Sequence, residues 1–551
     1  MFLLLILCLA IPTISAILLM LFRSSLNAQT SRWLALVGST LALAVSMMLL
    51  SQYKEASAAK TAQQTDGAAR AALEPLVSHR HSWMMISGTA EKPGVQLELY
   101  MGLDGISVAM IALTCLLTVS SVLISWESIR ERASEFYACL LILETGLIGV
   151  FCSFDLMLFY VFFEMTLIPL FFLIAIWGGP DRRWAAFKFF LYTLAGSLVT
   201  LSGLVVLVLL VSRDGLLTPT SLPALASWLA QHPLPASTQT AFFLTLSAGF
   251  LIKVPVFPFH TWLPLAHVEA PTAGSVMLAG VLLKLGSYGF LRMCLPMFPE
   301  ACVTVGIPLI GLLSFIGIIY WSFCALAQRD IKKLVAYSSV AHMGFCILGL
   351  FALNTEGITG SVVQMVNHGL STGALFLLVG MVYERYHTRM LDDIGGLATR
   401  LPLIACSMVF IAMSSIGLPG LNGFVGEFLS LAGMFRRNPL YSALGTTGVI
   451  LGAWYLLTAV QHGFFGALRE PHGGHHHEDH EVITDLKPRE LLSLAPLAVM
   501  CLWLGVKPAI LIDLIEPDVR SVVAIYEKQS ATAAVTTPDS ASSVKYSLID
   551  R

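Results

Sequence analysis

Seven ionisable side chains of this 551-residue chain lie inside long apolar runs. Glu144 sits in LLILETGLIGVF, Glu164 in FYVFFEMTLIPLFF, Lys253 in GFLIKVPVFPFHTWLP and Lys284 in MLAGVLLKLGSYGFLR. His342 lies in AYSSVAHMGFC, His368 in MVNHGLSTGALFL and Glu427 in GLPGLNGFVGEFLS. A charge near the middle of a membrane helix costs about 2.5–3.5 kcal/mol on insertion scales, so each of these must do something that offsets it. A row of acids, lysines and histidines is what a proton relay needs. A buried lysine holds its proton less tightly because desolvation penalises the charge, and a nearby carboxylate restores the affinity. Glu164, Lys253 and Lys284 form such a switch if their helices meet. Arginine, which stays charged, cannot serve in their place. Histidine titrates near physiological pH and passes a proton between its two nitrogens. Each residue also has a plainer reading: a Glu–Lys packing pair, satisfied core histidines at 342 and 368, and a helix–helix hydrogen bond for Glu144. Asp104 and Asp155 stand at predicted helix starts, where a carboxylate meets the positive end of the helix dipole.

The elements that must position these residues are membrane helices. Hydrophobic types make up 56% of the chain and charged types 12%, about half the usual ~25% of a soluble domain. Mean hydropathy is +0.78. A span needs about 20 apolar residues. Fourteen stretches qualify, near 2–22, 33–51, 101–125, 135–153, 155–177, 185–212, 239–259, 271–293, 303–324, 331–352, 360–383, 402–434, 442–467 and 490–512. Residues 52–100, 213–238 and 468–489 read as loops, and the Ser/Thr/Ala-rich tail after about 528 as disordered. The N-terminal run reads as a first span, because it lacks a basic n-region. Arg and Lys cluster in the odd-numbered loops, among them Arg182, Arg183, Lys188, Arg329, Lys332 and Lys333. The even short loops carry only Arg213, Arg292, Arg436 and Arg437, and the long 52–100 loop, also even-numbered, counts weakly in this comparison. The odd loops are therefore expected on the cytoplasmic side and both termini outside.

Two spans are interrupted near their middles. Lys253-Val-Pro255-Val-Phe-Pro258 breaks the seventh, and Gly417-Leu-Pro419-Gly420-Leu-Asn-Gly423 the twelfth. Broken helices at corresponding places in two halves point to an inverted-repeat transporter. Lys253 and Glu427 are 174 residues apart, Glu164 and His342 178. These offsets align spans 4–8 with spans 9–13. The expected layout is residues 1–100 (two helices and an outer loop), 101–134 (third helix), 135–294 and 302–467 (the repeats), 468–489 (a His-rich cytoplasmic loop) and 490–551 (last helix and tail).

The stretches FYVFFEMTLIPLFFLIAIWGG, LIKVPVFPFHTWLPLAHVEAPTAGSVMLAGVLLKLGSYGFLR and GLPGLNGFVGEF, in that order, resemble the antiporter-like M subunits of bacterial NADH–quinone oxidoreductase, respiratory complex I. The resemblance covers roughly residues 100–465. It implies an all-α polytopic subunit of fourteen helices, with two inverted five-helix repeats and one proton channel driven by quinone reduction elsewhere. Matched motif by motif, it makes Glu164 the partner of Lys253, Lys253 and Lys284 the midplane proton stores, His342 and His368 their continuation, and Glu427 the terminal acid. An acid rather than lysine at 427 is what favours subunit M over its paralogues. Glu144 matches less cleanly and its part stays open. The resemblance further implies neighbouring antiporter-like subunits as partners and the bacterial inner membrane as location. FMN, iron–sulfur clusters and quinone are expected on other subunits.

No cofactor is expected on this chain. It has no P-loop and no GxGxxG after a strand. Its ten cysteines include no CxxC, so they read as buried small hydrophobes rather than cluster ligands. No basic stripe points to nucleic acid. The five histidines between His472 and His480 could take a metal, but a hydrated loop is the simpler reading. Three rival readings stay open: an Mrp-type sodium/proton antiporter subunit, a membrane-bound hydrogenase subunit, and a passive scaffold.

Overall fold

A computed structural model describes residues 1–63, 73–86, 95–471 and 483–536. The chain runs through α1 (Phe2–Leu21), α2 (Ala28–Gln63), a hairpin of β1 (Val77–Ile86) and β2 (Val95–Leu103), then α3 (Gly105–Ser128) and α4 (Ala133–Cys152). Next come α5 (Leu156–Trp177), α6 (Arg182–Arg213), α7 (Leu222–Gln231), α8 (Ala236–Lys253), α9 (Leu263–Glu269) and α10 (Thr272–Met297). The second half holds α11 (Pro299–Leu326), α12 (Ile331–Leu350), α13 (Thr355–Tyr386), α14 (Pro402–Ile416), α15 (Asn422–Arg437), α16 (Pro439–Phe464), α17 (Pro488–Val506) and α18 (Ala509–Thr536). Among the described residues, twelve helices are long and apolar enough to cross a bilayer. The stretches near 239–259 and 402–434 are not among them: the first is α8, which ends at Lys253 with unwound chain after it, and the second is split into α14 and α15. In lipid, backbone polar groups must be satisfied within a segment, which is why the apolar runs become helices.

The helix starts are chemically marked. Asp104 accepts from Ser107 N at the start of α3, and Asp155 from Met157 N and Leu158 N at the start of α5. Asp330 and Asn354 cap α12 and α13 in the same way, each satisfying amides that the first turn leaves free. α10 and α13 bury their whole apolar windows at the centre of the bundle. α6 instead turns Trp184, Phe187, Leu191 and Leu209 outward, as a helix facing acyl chains does.

α13 and α15 pack backbone to backbone through small residues. A Cβ on Gly433 would come 2.3 Å from Gly357 N, and one on Gly360 would come 2.4 Å from Ser430 N. Such small-residue faces let membrane helices approach closely. Gly433→Ala is therefore expected to lower stability by about 1–3 kcal/mol through overpacking. Thermal unfolding of the purified protein checks this; an unchanged midpoint would contradict the close approach.

Several expectations need correction. The 52–100 stretch is not simply a loop: α2 runs on into it, and β1 and β2 pair antiparallel, Val77 opposite Leu103. The 213–238 stretch contains α7. The last expected span, near 490–512, is α17, which ends at Val506; after Lys507 and Pro508 a separate helix, α18, runs to Thr536, beyond the point where the tail was expected to be disordered. Its ties explain its order: Asp518 Oδ2 accepts from Gly105 N (2.7 Å), and Tyr526 Oη donates to Leu295 O (2.7 Å). Arg292, assigned to a loop from sequence, is buried inside α10 in an ion pair with Asp104 (2.5 Å). The His472–His480 cluster and residues after 536 lie outside the described residues.

Candidate functional site

Both helix breaks follow from their prolines and glycines. In α8, Leu251 O would normally meet the amide at 255, but Pro255 has none. Val256 N takes that carbonyl instead (3.0 Å). The next carbonyl, Ile252 O, accepts from the Trp262 indole Nε1 (3.0 Å). Lys253 is thereby left as the last residue of a helix that ends inside the protein. In the other break, Gly417 and Gly420 take φ of 85° and 93°, a left-handed conformation that side chains other than glycine disfavour. Asn422 then starts α15, with Glu427 just over one turn further on.

Lys253 is buried, and its Nζ lies 4.7 Å from the Phe163 ring centroid. Its Nζ has no hydrogen-bond partner among the described residues, so it is not bonded to Glu164 or to Lys284. Glu164 is the acid whose charge reaches it. Glu164 is only half-buried, on a face of α5 where Val161 and Ile168 point outward. α5 is interrupted at Thr166, two residues after Glu164, because Pro169 offers no amide to Met165 O.

The other four proposed relay residues form one line. Lys284 Nζ lies 2.7 Å from His368 Nδ1. The His368 and His342 rings are adjacent, with centroids 5.8 Å apart. His342 Nδ1 lies 2.6 Å from Glu427 Oε1. All four side chains are buried. The order is thus Lys284, His368, His342, Glu427, with the histidines in the reverse of their sequence order. A π-helical turn at Leu278–Leu282 precedes Lys284 and leaves Ala279 O open to its ammonium, which donates to it.

The sequence passed over several members of this cluster. Gln364 Nε2 donates to Glu427 Oε1 (2.9 Å), and Tyr455 Oη contacts His342 Nε2 (3.2 Å). Asn367 and Asn422 exchange side-chain-to-backbone hydrogen bonds, which fastens α13 to the broken end of α15. His267, on α9, is fully buried with neither ring nitrogen bonded among the described residues, and stacks on Phe376 at 4.7 Å. It lies within electrostatic reach of both Lys332 and Lys284. Lys332, counted as a loop residue, is buried and donates to Val268 O (3.2 Å) and Ala270 O (2.6 Å) at the end of α9. The criterion that picked out His342, a polar side chain inside an apolar run, also finds His267, Gln364 and Tyr455.

Glu144 is not part of the line. It is fully buried in α4, beside the thiols of Cys8 of α1 and Cys115 of α3. Among the described residues no group of three or more His, Cys, Asp or Glu could hold a metal.

A helical bundle with interrupted helices and a buried line of acid, lysine and histidine side chains defines a class: polytopic membrane proteins built to carry ions through their interior. The chain belongs to the NADH:quinone oxidoreductase/Mrp antiporter transmembrane family, whose model matches residues 153–452. Among its relatives, NADH-quinone oxidoreductase subunit M of Rhodobacter capsulatus is 41% identical over 92% of this chain and 93% of its own length. NADH-ubiquinone oxidoreductase chain 4 of Prototheca wickerhamii is 40% identical over 92% of both. A chain of respiratory complex I from Thermus thermophilus superposes with a TM-score of 0.78 at 29% identity, covering 95% of this chain and 99% of that one. A chain of the Mrp complex from Dietzia shares the fold alone, at 21% identity and a TM-score of 0.75 over 95% of this chain and 52% of that one.

Proposed function

We propose that this chain is the proton-translocating M subunit of an NADH–quinone oxidoreductase and that Glu164, Lys253, Lys284, His368, His342 and Glu427 carry the proton. The contact line from Lys284 through His368 and His342 to Glu427 is the observation that carries this reading. A proton passes along it by exchange between nitrogen and oxygen atoms at hydrogen-bond distance, except between the two rings, where one rotation or one water is needed. A water link is likewise required between Lys253 and Lys284, and the unwound backbone after Lys253 can hold one. Glu164 controls the proton affinity of Lys253 from a half-buried face turned toward a neighbouring antiporter-like subunit. Lys332 and His267 feed Lys284 from the cytoplasmic side. In this reading the two breaks belong to inverted repeats at 135–294 and 302–467, the protein sits in a bacterial inner membrane with both termini outside, and Glu144 is structural. The NADH and quinone chemistry, with its FMN and iron–sulfur clusters, belongs to partner subunits, and this chain has no redox site of its own.

Glu164→Gln and Lys253→Ala test the reading. In assembled complex, each is expected to lower proton uptake per electron transferred. Normal uptake in both variants would end the relay; lost assembly alone, with pumping intact in what remains, would favour a scaffold. Proton uptake that requires sodium would favour the antiporter reading.

A further inference from the structure

α10 carries two π-helical turns, Leu278–Leu282 and Phe290–Cys294, one on each side of Lys284. π turns are rarely stable by themselves and mark functional places in helices. Here each is pinned by a basic side chain. The inner turn offers Ala279 O to Lys284. The outer turn contains Arg292, whose Nη2 pairs with Asp104 Oδ2 (2.5 Å) and donates to Ser107 Oγ (3.3 Å). The guanidinium is 2% exposed and lies against the rings of Tyr288 (4.8 Å) and Phe154 (5.1 Å). Tyr288, four residues along the chain from each basic residue, donates through Oη to Phe151 O (3.0 Å) and contacts Ser107 Oγ (3.3 Å). The far end of α10 is held by α18, through Tyr526 Oη on Leu295 O. Asp518 of the same helix closes over Gly105 N, beside Asp104, and its charge reaches Arg292.

We propose that Arg292 is a positioning residue for Lys284: its ion pair with Asp104 holds the outer π turn of α10 open and so keeps Lys284 on His368. A π turn contains one more residue than an α turn. Reverting it re-registers the helix by one residue, a rotation of about 100°. The outer end cannot turn, because Tyr526 holds Leu295. The segment that carries Lys284 turns instead and takes the ammonium away from His368 Nδ1. A buried pair of this kind is weak as a source of stability, and fixing a register is its best-attested use.

The inference rests on the proposed relay, so Lys284→Ala is measured alongside. The groups facing Lys284 are His368 of α13, Cys346 of α12 and His267 of α9, with His342 of α12 next to His368; those facing Arg292 are Asp104, Tyr288 and Asp518. Two variants are compared in the assembled complex. Asp104→Asn with Arg292→Gln removes both charges of the pair at once and leaves Asp518 on Gly105 N. Arg292→Lys keeps the charge balance and gives up the second bond, to Ser107. For the neutral pair, proton uptake per electron is expected to fall about tenfold, within the ~100-fold that ångström-scale misplacement can cost. Its pH profile is expected to move, because Lys284 leaves its histidine partner. Arg292→Lys is expected to show a smaller fall and a shift of the same sign, and it decides the matter if the neutral pair does not assemble. Wild-type uptake with a wild-type pH profile, in either variant at normal subunit abundance, overturns the inference. If Lys284→Ala itself pumps normally, the relay reading fails with it; if only the Arg292 variants pump normally, the relay stands and the positioning role falls.

Discussion

Lys284→Arg is expected to leave the subunit assembled and electron transfer running while proton translocation falls about 100-fold or more, the usual worth of a positioned proton-transfer group. Arginine preserves the charge and can still donate to Ala279 O, the carbonyl that the inner π turn leaves open to Lys284. What it cannot do is release a proton, because its guanidinium stays charged under any condition the protein meets. Lys284→Ala is expected to lose translocation too, but for a mixed reason. It also strips a partner from Ala279 O and from His368 Nδ1, 2.7 Å away, and each buried polar atom left unpaired costs about 1–3 kcal/mol. Comparing the two separates proton release from structure. Proton uptake in inverted membrane vesicles, measured against the rate of electron transfer, is the readout. Pumping by Lys284→Arg at the wild-type rate would show that this ammonium never gives up its proton during turnover.

The second large effect is expected at Glu427. Glu427→Gln keeps the shape and hydrogen-bonding capacity that His342 and Gln364 use at 2.6 and 2.9 Å. An amide does not take up a proton, so translocation is expected to drop by about 100-fold while the melting temperature stays near that of the wild type. Glu427→Ala should lose both, since two buried side chains are then left without their acceptor. Glu427→Asp, one methylene shorter, should recover part of the pumping. Full pumping by Glu427→Gln would show that protons leave the line before they reach Glu427.

The buried ionisable residues of the candidate site were visible in one dimension because lipid makes charge expensive. Each of Glu164, Lys253, Lys284, His342, His368 and Glu427 stands out in an apolar run, with no knowledge of its neighbours. The two breaks were equally legible. Pro255 withholds an amide, and Gly417 and Gly420 admit a left-handed backbone, wherever the helix finally lies. Arg292 went unrecognised for the opposite reason. By position it is an arginine near the end of a span, and such residues ordinarily reach for water; only the approach of Asp104 from α3 lets it stay inside. Glu144 has the same one-dimensional signature as Glu164, yet it lies beside α1 and α3, away from the line. α18 was hidden because its order comes from contacts with Gly105 and Leu295, which are remote in sequence.

The sequence by itself determined that this protein lives in a membrane, where most of its long apolar helices lie, where two of the apolar stretches break, and that ionisable side chains stand in its interior. These are properties of single residues and short runs, set by the cost of placing charge and unpaired backbone in hydrocarbon. The order of the line, Lys284 to His368 to His342 to Glu427, was decided only by the tertiary structure, as were the absence of Glu144 from it and the pairing of Arg292 with Asp104. Each depends on which faces of separate helices meet, and that is fixed by packing between segments up to hundreds of residues apart.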